Sequence, residues 1–458
     1  MDDGFLRRLA GALEGTLISA GDAGYDRARA VWNGAIDRRP AAVARVAGPL
    51  DVAAVLRSAR EAGCAVSVRG GGHSTAGHAV IDGAVVIDLA GLRSVRVDGG
   101  RCQATVGGGA LWGDVDQATA AEGLATTGGM ISHTGVGGLT LGGGIGWLMR
   151  QHGLTIDNLL AAEVVLADGR VVRADPDGEH ADLFWALRGG GGNFGVVTRF
   201  TFRLHPVRDV LAGMVMYPAV RAGAIARFFR ELTSDAPDEL TAMLSLLTAP
   251  PAPFIPPHLH GQPMVAIVGC WTGDLARGAA ALRPLRTFGP PAVDAIAEVP
   301  YVRFQSALDP GATPGWHYAM RAAYFDTLTD GALDALVEHA AAAGSPLSQV
   351  HVHHLGGAVA RVAPGATAYG QRRAAYLVNV PAAWSDASES ARHLEWTRAV
   401  HAAIAPYSNG VPYVNFLADE GEARVRAAYG DNLPRLAAVK RAYDPDNLFR
   451  FNQNIAPA

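Results

Sequence analysis

Apolar residues recur along this chain in two rhythms, and the places where one gives way to the other outline its elements. The Ala-rich stretch from 3 to 30, ending near Trp32, reads as helical in part, and residues 42–46 as a short extended segment. From 51 to 62 the positions Val52, Val55 and Leu56 keep helical spacing, with Asp51 as the predicted N-cap. Val-rich runs at 65–68, 84–89, 94–97 and 104–106, divided by Asp-Gly and Gly-Gly turns, predict strands. Residues 111–122 predict a helix closed by Gly123 at its C′ position. Segments 162–167 and 170–174 form a hairpin on Asp168-Gly169, and 196–204 alternates at period two as another strand.

Beyond residue 208 the character changes. Strands are predicted at 214–217, 241–247, 264–270, 318–325, 349–362 and 374–380, with helices at 274–282, 330–343 and 388–405. Strands with helices laid on one face make an antiparallel sheet, so the class is α+β. Residues 250–263 hold six prolines and two histidines and must be a loop.

A chain of 458 residues exceeds one ordinary core, so two domains are expected. With 49% apolar and 18% charged residues it has ample material to bury. A formal charge of -4, without a basic cluster, argues against a nucleic-acid partner. Only Cys64, Cys102 and Cys270 occur, at spacings that suit neither a disulfide framework nor structural zinc. The acidic start and the lack of a long apolar run argue against a signal peptide and a membrane span, which makes a reducing cytoplasm the default.

Chemistry concentrates in three glycine loops. In the first, a strand runs into Arg69-Gly70-Gly71-Gly72-His73-Ser74, with His78 shortly after. Such glycines turn successive N–H groups toward one point and favour a pyrophosphate, beside the fixed charge of Arg69 and an imidazole that is neutral at ordinary pH. In the second, nine glycines fall within the nineteen residues 128–146, interleaved with Val136, Leu139, Leu141, Ile145 and Trp147. That density is expected to prevent a stable helix or strand and marks backbone pressed against something bulky. The third, residues 190–195, spells GxGxxG, but a strand rather than a helix follows, so Rossmann-type NAD binding is rejected.

With these loops in hand, the chain resembles the FAD-linked oxidases of the vanillyl-alcohol-oxidase (PCMH) superfamily, in its berberine-bridge-enzyme-like branch. The matching residues are 69–74, 135–147, 157–159 and 184–195, with Tyr413-Val414-Asn415-Phe416 and 443–454 at the far end. The resemblance implies a PCMH-type FAD-binding domain of two subdomains over 1–207, a substrate domain over 208–410, and a segment 411–458 that returns to the first. It implies FAD bonded covalently through His73 to the 8α-methyl of the isoalloxazine. A second, cysteinyl link found in many members has Ile131 in its place here, so the pattern is that of single-linkage bacterial members of the 6-hydroxynicotine oxidase type.

Cofactor contacts are expected from the first loop, from Gly129, His133, Thr134, Gly135, Gly137, Gly138, Gly142 and Gly143, from Asn193, Gly195 and Val197, and from Asn415, Asn452 and Asn454. Thr134 stands where the family carries a residue thought to gate oxygen, and its small side chain favours an oxidase using O2. The base that takes the substrate proton is expected to be Tyr413, on a strand face shared with Asn415, with His354 and Tyr376 as other candidates. Histidines 351, 353 and 354 invite a metal reading, but no carboxylate lies near in sequence, and none is assigned. The expected activity is hydride transfer from an alcohol, amine or sugar-like small molecule to flavin. A dehydrogenase with another electron acceptor, or a non-redox flavin-binding protein, are the alternatives. Neither substrate identity nor oligomeric state is legible.

Overall fold

The computed structural model describes residues 3–458. Its first sheet has four strands in the order Thr16–Ser19, Ala42–Arg45, Val85–Asp88, Val66–Arg69, of which the last three run parallel. Parallel neighbours need a crossover, supplied here by the helix Pro49–Glu61, whose Val52, Val55 and Leu56 are buried with Val85 and Ile87. Asp51 is not its cap. Gly48 holds that position, and the Asp51 carboxylate accepts the backbone N–H groups of Glu14, Gly15 and Ala47 at 2.8–2.9 Å. The N-terminal stretch is helical at Asp3–Gly11 and Tyr25–Arg29, with the edge strand Thr16–Ser19 between them.

A second sheet of five antiparallel strands has the order Val95–Asp98, Gln103–Gly107, Val196–Arg203, Leu159–Val165, Val171–Ala174. Phe200, Phe202 and Val106 pack in it with Trp112, from the helix Trp112–Ala120. Gly123 follows that helix at φ +66°, its N–H donating to the Ala120 carbonyl, one position beyond the expected C′ because the helix ends at Ala120 with Ala121 as its C-cap.

The third sheet has eight strands and is antiparallel throughout. Its order is Val293–Asp294, Asp209–Pro218, Pro263–Trp271, Leu240–Thr248, Val350–His354, Tyr376–Trp384, His317–Phe325, with Ala297–Pro300 also paired to Asp209–Pro218. Helices Ala222–Ser234, Leu275–Thr287, Asp330–Ala341 and Ser390–Ile404 cover one face, burying Phe229, Leu282, Leu333 and Val400 against Val215, Leu244, Ile267 and Val378. Two of these helices start at side-chain caps, Asp274 accepting from Arg277 N–H at 2.9 Å and Thr329 from Ala332 N–H at 3.2 Å. The strand expected to run to 362 stops at His354, because Gly356 and Gly357 take φ of +84° and +54° and turn the chain into a short helix, Ala358–Arg361.

Residues after 411 pack on the first two sheets: Tyr429, Leu436 and Ile455 join the core of the second, Leu448 and Phe449 that of the first. The buried Lys440 ammonium donates to Asp444 at 2.6 Å and to the carbonyls of Asn193 and Phe449 at 2.8 and 3.0 Å. Among the described residues no helix is long and apolar enough to cross a membrane.

Candidate functional site

The strand Val66–Arg69 delivers the first glycine loop directly against the second. Gly71 and Gly135 touch through bare backbone, so that a Cβ on either would collide with the other. Gly72 has φ +70°, and its carbonyl accepts the Trp32 N–H at 3.1 Å. Gly129 backs onto Leu139 and Trp112, Gly142 onto the Asn415 amide, and Gly143, at φ +132°, onto Tyr369 and Tyr413. Gly137 approaches the Gly108 carbonyl, Gly70 meets the same carbonyl at ordinary contact distance, and Gly138 faces open space. Contrary to expectation the run is not free of regular structure: Val136–Leu141 forms a helix. Burial of Val136 and Leu141 in the second-sheet core overrides the low helix propensity of Gly137 and Gly138.

His73 stands at the mouth of this cradle. Its Nε2 lies 2.8 Å from His133 Nδ1, and its Nδ1 lies 3.5 Å from Thr134 Oγ1. The ring stacks on Trp32 at 4.8 Å between centroids, and Trp32 stacks in turn on Tyr318 at 3.7 Å. Burial, assisted by His133, lowers the His73 pKa to about 3, and burial lowers His78 to about 4, so both rings are neutral at pH 7. Ile131 packs into the same cluster as Trp32 and Tyr318. Trp32 itself belongs to no motif, and only its place at the end of the N-terminal stretch marks it in the sequence.

Tyr413 lies not on a strand but at the N-cap of a 3-10 turn, Val414–Phe416. Its oxygen accepts two N–H groups, from Gly144 at 2.8 Å and from Asn415 Nδ2 at 2.9 Å. Asn415 Nδ2 also donates to the Leu139 carbonyl at 2.9 Å, which fixes the orientation of the amide. Burial pushes the Tyr413 hydroxyl up to about 12, against the pull of its N–H donors. Tyr324 and Tyr369 meet its ring edge-on and share a 2.7 Å bond between their own hydroxyls. Arg372, buried and bidentate on Asp157 at 2.7 and 2.8 Å, sits 5.0 Å from the Tyr369 ring.

Strand parity separates the remaining candidates. Val350, Val352, Tyr376, Val378 and Val380 face the covering helices, so His351, His353, Leu377 and Asn379 project from the opposite face. Tyr376 is therefore turned away from that face, its hydroxyl 2.8 Å from Thr233 Oγ1 of a covering helix. His354 Nε2 lies 3.0 Å from Arg150 Nη1, and because a guanidinium only donates, the imidazole lone pair is already engaged. Burial, then Arg150, lowers its pKa to about 3. Neither residue is arranged to act as the base.

Several expected cofactor contacts are structural. Arg69 offers no free charge to the loop, because its guanidinium pairs with buried Asp88 at 2.7 Å and donates to the Ala28 and Ala30 carbonyls. Asn193 clasps the C-terminal segment, donating to the Gly190 and Gln453 carbonyls and accepting the Ile455 N–H. Gly195, at φ +156°, is required by close packing on Val164 and Val165, and Val197 is a ladder residue beside Gly108. Ser74 accepts the His78 N–H at 3.3 Å. Asn452 donates to the Gly192 and Phe449 carbonyls.

The residues present fit a large polar ligand such as FAD. Around the loops, His78 Nε2, Asn452 Oδ1 and Asn454 Oδ1 are buried without a hydrogen-bond partner, and such atoms are costly unless something else satisfies them. Comparison with known proteins points the same way. Residues 40–175 match the FAD binding domain family, and residues 412–456 the "berberine and berberine like" family. The chain is 32% identical over 463 residues to the (R)-6-hydroxynicotine oxidase of Paenarthrobacter nicotinovorans, with 97% of each protein covered. It is 29% identical over 451 residues to an FAD-linked oxidoreductase of Dictyostelium discoideum, covering 97% of this chain and 95% of that one. The crystal structure of 6-hydroxy-D-nicotine oxidase from Arthrobacter nicotinovorans superposes with a TM-score of 0.87 at 29% identity, over 97% of this chain and 98% of that one. A chitooligosaccharide oxidase shares the fold, with a TM-score of 0.87 at 24% identity, over 99% of this chain and all of that one. The glycine cradle, the berberine-like closing segment and relatives matched along almost their whole length make this chain a member of the FAD-linked oxidoreductases, in the berberine-bridge-enzyme-like branch with the PCMH-type fold.

Proposed function

We propose that the protein is an oxidase that binds FAD through residues 1–207 and 411–458, tethers it covalently through His73, and oxidises an alcohol, amine or sugar-like small molecule held under residues 208–410. Bound FAD supplies the hydride acceptor in this chemistry, and O2 the final oxidant. The observation that carries the reading is the neutral His73 imidazole held at the mouth of the Gly71–Gly135 contact by His133 and Trp32. A neutral ring keeps a lone pair for bond formation, which a protonated one lacks. Tyr413, in its ionised form, takes the substrate proton; its hydroxyl, pushed up to about 12 by burial, must first give up its own. Its oxygen receives the Gly144 and Asn415 N–H groups, and donors aimed at an oxygen stabilise the charge it acquires on ionising. Thr134, beside His73, keeps a small side chain where O2 must approach.

Acid precipitation tests the tether. Flavin should stay with the denatured protein, and a His73→Ala variant should release it. Complete release from the unmodified protein would refute the covalent link.

A further inference from the structure

The face of the eight-stranded sheet turned away from its helices carries one row of polar side chains that the reading above leaves without a role. By register, Ser245 lies opposite His351, His351 opposite Asn379, and Asn379 opposite Ala322, while Ser245 is flanked on its other side by Ala266. The row is thus polar in the middle and bounded by two small residues. His353 stands one step along the same face, its ring edge-on to His351 at 5.9 Å. It also lies 6.5 Å from Phe416, which packs on Tyr413 at 5.0 Å, so the row adjoins the proposed base.

These groups are buried, and several lack partners. His353 and Asn379 are each only 4% exposed, yet both nitrogens of His353 and the Asn379 Oδ1 make no hydrogen bond. His351 Nε2 is paired to Gln349 Oε1 at 2.8 Å, and Ser245 donates to the same oxygen at 3.4 Å. In the five strands from Pro263–Trp271 to His317–Phe325 the only charged residue is Arg321, which shares the helix-covered face with Ala319 and Ala323 and pairs with Glu420 at 2.6 Å. The face of these strands turned away from the helices therefore carries no charge of its own. Burial keeps the imidazoles uncharged as well, lowering His351 to about 4 and His353 to about 3.

We propose that this row selects an uncharged, hydroxyl-bearing substrate, with His353 and Asn379 as its specificity-determining residues. The inference rests on the oxidase reading and narrows its substrate class. A neutral imidazole offers one donor and one acceptor, and the Asn379 carbonyl offers an acceptor, which matches a molecule whose hydroxyls both give and receive. An ammonium or a carboxylate would lose its hydration without meeting an opposite charge, a cost of several kcal/mol per ion in protein interiors.

The test uses flavin-replete protein at pH 7 and matched pairs of probes, glucose against glucosamine and benzyl alcohol against benzylamine, with steady-state turnover under air as the readout. The uncharged member should have at least a tenfold higher kcat/KM. His353→Leu and Asn379→Leu should each raise KM for it about tenfold or more, and His353→Gln should restore part of the loss. Because the buried imidazole has no protein partner, His353→Leu should also raise Tm, by about 1–3 °C. Preference for the ammonium member, an unchanged KM in both leucine variants, or a fall in Tm with His353→Leu would overturn the proposal while leaving the oxidase reading intact. A native protein without bound FAD would remove that reading, and this inference with it.

Discussion

Around the glycine loops, contact is made by backbone, and most polar side chains are tied to other parts of the chain: Arg69 to Asp88, Asn193 to Gln453 and Ile455, Asn415 to Leu139. On the face of the large sheet turned away from its helices, contact is made by buried side chains, and His353 and Asn379 keep unpaired atoms, as His78, Asn452 and Asn454 do beside the loops. The first region is built to hold one shape rigidly. The second keeps hydrogen-bonding capacity in reserve, at a cost in stability, as sites that await a ligand commonly do. A cradle of this kind suits a cofactor common to many relatives, and a face of the other kind suits a substrate particular to one chain.

That contrast can be broken at four points, in order of expected effect. Ending the chain after Pro412 removes Asn415, Lys440 and the partners of Asn193, so FAD retention should vanish, as measured by flavin absorbance after gel filtration. A truncated protein with stoichiometric flavin would show that the clasp is dispensable. Tyr413→Phe deletes the oxygen that accepts two N–H groups, and anaerobic flavin reduction in stopped flow should slow by the ~10²–10⁴-fold typical of a lost general base, with substrate binding little changed. An unchanged rate would remove Tyr413 from the reaction. Gly135→Ala places a methyl group against the Gly71 backbone, and overpacking of this kind should cost about 1–3 kcal/mol, read as a lower Tm and weaker flavin retention.

The smallest effect concerns pH. Burial depresses His353 to about 3 and His351 to about 4, whereas the unfolded chain takes up these protons near the ordinary value of about 6.5. The unfolded state therefore binds more protons between these values. Stability is full above about pH 6.5 and falls as pH drops toward 3–4, by about 1.4 kcal/mol per pH unit for each such histidine. His353→Leu should flatten the slope by one proton in urea titrations across that window. An unaltered slope would mean that the ring is protonated in the native protein.

Sequence reading succeeded where a residue type answers to one local constraint. Glycines in the loops encode backbone approach, and the helix face at 52, 55 and 56 encodes burial, so both were legible. Asp51 misled because Gly48 caps the helix three residues earlier, with Pro49 as its first residue. Tyr376 misled for a different reason. Both faces of its strand are buried and mostly apolar, so alternation does not say which face meets the site, and a shift of one position inverts the answer. Arg69 looked available because its partner Asp88 lies on a neighbouring strand, nineteen residues away. The structural role of Asn193 needed the chain terminus in place, which no local pattern announces.

Lys440 carries a consequence for the order of events in synthesis. Its ammonium joins Asn193 of the third glycine loop to Asp444 and Phe449, and Asn193 is itself clasped by Gln453 and Ile455. Domains tend to fold as they emerge, amino-terminal first. This one cannot complete its third glycine loop that way, since Asn193 is paired with Lys440, Gln453 and Ile455, which lie 247, 260 and 262 residues further along the chain. Closing of the Asn193 clasp therefore follows synthesis of residues 440–455.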